Sequence, residues 1–552
     1  MKLRDLFDLT DSSTIVNSFW QSRFQQNKIY PLVGVDIIFA NGKRIRMSTQ
    51  SVTLYDSNNS AVVYEPLLIN EPNINESYDW KGGSPSQRSF TVSIDGRRVN
   101  ALDIVFGGNM LAGSAELSLI DDDVPYEKRF VFMIGDMISG VSFGADRETV
   151  EVTISDPKLT VDKIIPEYIT TEESLPDLPE NQQSQRYPLI FNRWNKVPAI
   201  MIDMNILTPK YLVAYGHDIE VKKVFRNGTG TVSEAEATMN GLISNPSLYQ
   251  WKVIYEYDEL SRPYTGIEFV DSPNYIIGEN TFTDSDTVYC DVIKKNDKFT
   301  VIDLAVFLLS NYTDFGIKSI DEVLTSRSKL KEPQGLSSNV CINGSGDNVT
   351  TTIEFISSTL LGSFPMIQLA YSAQGIGLVF TDRNPKYSVL SLVSGQNLLF
   401  DRVSGFTESS REEIYNKFTL QYDYNAMNDN YNKTLERNST NHNLCKLSEQ
   451  KIGLREMEPV LAINVFDDTT AQYIIDWLSN HYTFPTYTVE YEGSPKLFFL
   501  LKVGDNIQLS DEKLNISNIN GTVEALSYQR GKVSIVLKLW ILFDVINGYV
   551  LR

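Results

Sequence analysis

Reactive side chains are scarce in this sequence: its 552 residues include three histidines and three cysteines. Imidazoles, thiolates and the metals they bind carry much of soluble catalysis. His217, His442 and His481 read as scattered and remote from Cys290, Cys341 and Cys445. Such a chain is expected to be a building part and not an enzyme. Three unclustered cysteines exclude a disulfide framework and fit folding in a reducing cytoplasm.

Long apolar runs are missing too. A bilayer span needs ~20 mainly apolar residues. The greasiest run, Val533 to Leu551, is broken by Lys538 and Asp544, so no membrane-spanning segment is expected. Asp8 and Asp11 follow Met1-Lys2-Leu3-Arg4-Asp5 too closely for a secretion signal. Positive charge is in deficit, with 49 Lys and Arg against 70 Asp and Glu, a net charge of −21. That balance excludes a broad basic face for nucleic acid. The nearest basic–aromatic stretch, Arg186-Tyr187 to Arg193-Trp194-Asn195-Lys196, is short.

Motifs that carry chemistry are incomplete where they occur. His217-Asp218 has no companion histidine at metal-ligand spacing. Asp121-Asp122-Asp123 and Asp284-Ser285-Asp286 lack the glycine and distal glutamate of a calcium loop. Gly228-x-Gly230 and Gly375-x-Gly377 are followed by no Gly-Lys-Ser/Thr, and read as turns. No Gly-x-Ser-x-Gly elbow is present. No residue is therefore assigned a catalytic, cofactor-binding or metal-binding role, and no cofactor is expected. The exception kept open is two carboxylates about 5 to 9 Å apart in a cleft, as glycosidases use.

What is abundant is strand material. Tyr (28) and Phe (27) are frequent, and both suit pleated surfaces. The length implies about three to five domains. Residues 1–157 open with a helix around Ile15, Phe19 and Trp20. Short strands follow, with turn signals at Asn41-Gly42 and Asp95-Gly96. Residues 158–186 hold or adjoin five prolines, 157, 166, 176, 179 and 188, with Glu172, Glu173, Asp177 and Glu180, and read as an acidic linker or arm. It is expected to lie across a neighbouring subunit or domain. Residues 187–265 are β-rich. Residues 266–400 mix strands with helical stripes at Ile302, Ala305, Val306 and Leu309 and at Ile353, Ile356, Leu360 and Leu361. Residues 401–552 return to strands, from an alternating run at 414–422. They include one helix at 467–482 and a polar Asn-rich excursion at 425–443, read as a loop. The fold class is multidomain and mainly β with an α/β middle portion, with barrel- or sandwich-like domains at the two ends of the chain.

The order of these elements carries a resemblance. Ser155-Asp156-Pro157 ends the first domain. Arg186-Tyr187-Pro188-Leu189-Ile190-Phe191-Asn192 ends the linker, and Lys196-Val197-Pro198-Ala199 and Tyr211-Leu212-Val213-Ala214 follow. Leu501-Lys502-Val503-Gly504-Asp505-Asn506-Ile507-Gln508-Leu509 precedes a last hairpin. This succession resembles the tail hub proteins at the tail tip, or baseplate, of long-tailed bacteriophages. The resemblance implies a virion structural protein forming a homotrimer. Each subunit would offer two similar β modules to a sixfold tail tube around a DNA channel. Expected partners are distal tail and tube ring proteins, the tape-measure protein, and tail fibre or tip proteins. Genome DNA would pass an acidic lumen without specific binding. The implied location is the virion, after assembly in the host bacterial cytoplasm. The alternative is a carbohydrate-binding or carboxylate-dependent glycan-degrading tail protein.

Overall fold

The computed structural model describes residues 19–20, 22–23, 31–39, 42–72, 74–77, 89–98, 114–135, 137–143, 148–155, 162–205, 208–228, 231–239, 250–270, 287–295, 298–313, 320–333, 336–345, 349–372, 375–382, 388–494, 497–513, 516–529, 532–539, 543–544 and 549–550. The chain is mainly β. Strand Leu32–Ile38 lies between Arg44–Ser48 and Ser114–Ile120 in a six-stranded sheet. Alternation sends Val33, Val35 and Ile37 inward. A second sheet holds Ser89–Asp95, Thr149–Ser155 and Met137–Phe143.

The two sheets meet at both margins. Phe130–Gly135 pairs in the first sheet and Met137–Phe143 in the second, so one bent run of chain serves both. On the other side Leu68 bridges Ile94, with Ile69 N–H to Ser93 O at 3.0 Å and Asp95 N–H to Leu67 O at 2.8 Å. The result is barrel-like. Helical Trp20 is buried against it, and its indole N–H donates to Lys128 O at 2.8 Å.

The last part of the chain builds a second barrel-like sheet. Its strands run in the order Leu390–Val393, Asn506–Asp511, Ile516–Gln529, Lys532–Leu539, Tyr487–Gly493, Leu398–Glu408. The outer two are consecutive in the chain and meet at a tight turn, Gly395 N–H to Leu398 O at 2.9 Å. The sheet therefore curls back on itself.

These two end barrels form one body. Strand Ile74–Ser77, from the first barrel's part of the chain, pairs with Ile516–Gln529 in the second, from Ser77↔Ala525 to Ile74↔Tyr528. A single apolar core runs through both, from Val35, Leu117 and Val152 to Tyr491, Ile507 and Leu537.

Between them the chain makes a closed seven-stranded barrel: Arg193–Asp203, Lys210–Tyr215, Pro263–Val270, Gln250–Tyr257, Thr231–Met239, Ile219–Gly228 and Thr287–Lys294. Trp194, Met201, Trp251, Phe269 and Cys290 belong to its core. The acidic, Pro-rich segment packs on this barrel of its own chain. Leu175 and Leu178 turn inward onto Ile200, Ile202 and Ile254, and Glu172, Glu173, Asp177 and Glu180 face water.

The α/β part contains helices Val301–Asn311 and Glu322–Lys331. Thr300 and Asp321 cap them, accepting N–H bonds from Asp303 and Leu324. Hairpin Ile367–Ser372 with Gly375–Phe380 and helix Asp468–Tyr482 complete the same core. The expected strand at 414–422 begins only at Phe418 and runs to Asn425. Buried Asn416 donates to Gly453 O at 2.8 Å and accepts from Arg455 N–H at 2.7 Å, holding the chain out of the ladder. The Asn-rich stretch, expected to be a loop, contains strand Asn430–Arg437 and the start of helix Asn443–Ile452. Its amides make turns: Asn438 N–H donates to Asn441 Oδ1, and Thr440 N–H to Asn438 Oδ1, both at 2.9 Å.

Candidate assembly surfaces and the seam between two bodies

The histidines singled out above make local structural contacts. His217 Nε2 lies 2.8 Å from Glu256 O, and its ring stands edge-on to Tyr257, centroids 4.7 Å apart. His481 is buried and stacks on Trp477 at 4.3 Å. The histidines are not all remote from the cysteines: His442 lies three residues before Cys445, with Nδ1 3.4 Å from Sγ. A shared helix start makes that neighbourhood. Burial lowers His442 and pushes the Cys445 thiol up to about 11, so both stay neutral. Among the described residues no cluster of three or more His, Cys, Asp or Glu could hold a metal ion.

The triple Asp121-Asp122-Asp123 guards a sheet margin. Asp122 Oδ1 accepts from Thr53 N–H at 3.3 Å on outer strand Val52–Tyr55, and Asp121 and Asp123 each lie 3.7 Å from Arg23. Glu127 accepts from Ser57 N–H at 2.7 Å just beyond. An outer strand blunted by acids resists unplanned pairing. Asp284-Ser285-Asp286 and residues 229–230 of the Gly228 motif lie outside the described residues. Gly375 opens a hairpin strand, and Gly377 presses on Leu324, which a Cβ would approach to 2.9 Å.

Large exposed apolar side chains gather in a few places. Tyr55 (51%) and Val63 (45%) sit on paired outer strands of the first end barrel. Tyr255, Tyr257 and Leu260 lie together on one strand and turn of the middle barrel. Leu461 lies on Val460–Ala462, the outer strand of the sheet it forms with Phe418–Asn425 and Asn430–Arg437, and Leu454 lies on the chain leading to it. Tyr-bearing exposed faces of this kind suit protein contacts.

Gly504-Asp505 is the place where sequence signal and structure meet most closely. Gly504 takes φ 80°. Leu501, Val503, Ile507 and Leu509 around it are fully buried. Asp505 accepts from Lys502 N–H at 2.8 Å and is ion-paired with Arg327 of helix Glu322–Lys331. Lys331 Nζ donates to Gly504 O at 2.5 Å, and Lys502 Nζ lies 3.5 Å from Asp321. The corner thus joins the double-barrel body to the α/β body.

At the end of the same helix, Glu332 is pushed up to about 7, mainly by burial, with Asp303 adding repulsion. Its Oε1 has no hydrogen-bond partner among the described residues. A carboxyl whose folded value lies above its unfolded one favours folding at low pH and loses that contribution as pH rises through 7. Glu332→Gln should therefore raise stability at pH 8 by ~1–2 kcal/mol and leave it unchanged at pH 5. Thermal melts at the two pH values decide it; equal shifts at both would refute the assignment.

No protein-family model matches the chain, and no curated protein matches it. Among solved structures it is similar to the 43 kDa tail protein of prophage MuSo2 from Shewanella oneidensis, with TM-score 0.36, 9% identity and coverage of 92% of this chain and 97% of that one. It is similar to the prophage tail protein gp18 from Listeria monocytogenes EGD-e, with TM-score 0.26, 10% identity and coverage of 63% and 87%. The p2 virion baseplate in its activated conformation has a chain similar at TM-score 0.19 and 10% identity, over 68% of this chain and 98% of that one. These structural neighbours are phage tail and baseplate proteins.

Proposed function

We propose that this chain is a structural protein of a phage tail, forming a three-copy hub at the distal end of the tail tube. One observation carries the reading: the two end barrels sit side by side with one core, and strand Ile74–Ser77 from the first part of the chain pairs into the second barrel's sheet. A subunit that fixes two β modules in one rigid unit gives six modules when three copies close a ring, which suits a sixfold tube. The function then resides in shape and not in a reaction. The middle barrel is filled by Trp194, Trp251 and Phe269, so a DNA path would run between copies and not through a subunit. Three copies carry 3 × −21 = −63 charges, and acids facing that path would let DNA slide without adhesion. The exposed faces at Tyr55, Tyr257 and Leu461 are offered to tube-ring, tape-measure and fibre or tip proteins. Such a protein is assembled in the host cytoplasm and ends in the virion.

Sedimentation velocity and negative-stain imaging of the purified chain test the reading. A three-copy mass and a threefold ring with a central hole are expected. A stable monomer at micromolar concentration would count decisively against it.

A further inference from the structure

The double-barrel body and the α/β body have separate apolar cores. Among the described residues, the cluster that spans both is small: Leu324, Ala370, Val379 and Val503. Charge supplies much of the remaining contact. Besides pairing with Asp505, Arg327 donates to Leu500 O at 3.3 Å. Lys331, held at 3.4 Å from Phe380 O of its own body, reaches across to Gly504 O. Lys502 reaches back to Asp321. Elsewhere on the seam the chain crosses twice as a paired strap, Ser409 N–H to Thr486 O at 2.8 Å and Thr486 N–H to Ser409 Oγ at 3.0 Å.

These contacts differ physically from a shared core. Apolar surfaces parted in water lose all their stabilisation. Ammonium and guanidinium groups regain hydration when they part, which offsets most of the lost attraction. Buried ion pairs therefore fix an orientation without welding two bodies together. We propose that the seam is a working joint: Arg327, Lys331 and Lys502 latch the α/β body to the double-barrel body, and the 409/486 strap is its hinge. With the latch closed the molecule has one shape. With the latch parted the α/β body, together with the middle barrel packed on it through Trp194 and Phe466, swings as a unit.

The test uses the full chain with Arg327→Met and Asp505→Asn together, which removes the pair and leaves no lone charge. Glutamyl endopeptidase is the probe, because Glu412 is exposed on the strap. Cleavage after Glu412 should speed up roughly tenfold as local opening becomes easier, with near-UV circular dichroism unchanged. Lys331→Met, which spares the ion pair, should give a smaller increase of roughly threefold by the same reasoning. Cleavage within twofold of the parent in both variants would overturn the joint. So would loss of the near-UV signal in either variant, because the seam would then be part of a single folding core.

Discussion

Alanine at position 504 should cost the protein about 2–4 kcal/mol, a large fraction of the stability of a typical domain. Gly504 holds φ 80°, a backbone region that costs side-chain-bearing residues about 1–2 kcal/mol. A Cβ there would also lie 2.3 Å from Val379 Cγ1, with Val379 Cβ and Cγ2 at 3.2 Å. Val379 is buried in the small spanning cluster and cannot swing clear; overpacking of this kind costs about 1–3 kcal/mol. Gly504→Ala combined with Val379→Ala should recover part of the loss, because the collision goes while the backbone strain stays. Urea unfolding of both variants measures the coupling. A single Gly504→Ala variant within about 0.5 kcal/mol of the parent, the spread of ordinary surface changes, would show that the corner is slack.

Asp258→Ala should be comparably severe. Its carboxylate is 6% exposed as a residue and accepts four donors: Tyr187 Oη at 2.7 Å, Arg262 Nε at 2.6 Å, and the N–H groups of Leu260 and Arg262 at 3.0 and 2.8 Å. Removing it strands the Arg262 guanidinium beside the Tyr168 and Tyr187 rings. Breaking a buried pair on one side costs about 3–5 kcal/mol. Tyr187→Phe removes one neutral donor and should cost only about 1 kcal/mol. Because Tyr187 directly follows the acidic arm, the alanine variant should also free residues 170–186 to proteolysis before the barrel melts. If the arm stays protected, other contacts, such as Leu175 and Leu178, hold it alone.

Much of the local structure was readable from residue order. Thr300 and Asp467 stand where caps belong, and helices Val301–Asn311 and Asp468–Tyr482 follow them. The apolar, β-branched run from Val33 marked strand Leu32–Ile38, and the turn signals at Asn41-Gly42 and Asp95-Gly96 fell just past that strand and at the end of Ser89–Asp95. Long-range pairing was not readable, because nothing local in Ile74–Ser77 names Ala525–Tyr528 as its partner. The same holds for Thr287–Lys294, which closes the middle barrel against Ile219–Gly228 and Arg193–Asp203. Asn430–Arg437 escaped notice because an exposed hairpin strand needs no apolar alternation; its residues are mostly solvent-facing. The latch was hidden for a related reason. Arg327, Lys331 and Asp505 look like ordinary surface charges in sequence, and only the fold brings helix and corner together.

The stitch between Ile74–Ser77 and Ile516–Gln529 also governs when the protein can be finished. An amino-terminal strand made early in synthesis waits for a partner translated some 450 positions later (525 − 77 = 448 by the register). Closure over so large a loop is slow. A nascent chain on the ribosome therefore leaves that strand without its partner, and a copy terminated before Ile516–Gln529 has no docking place for it. Only a chain that extends through Ile516–Gln529 can acquire the double-barrel shape.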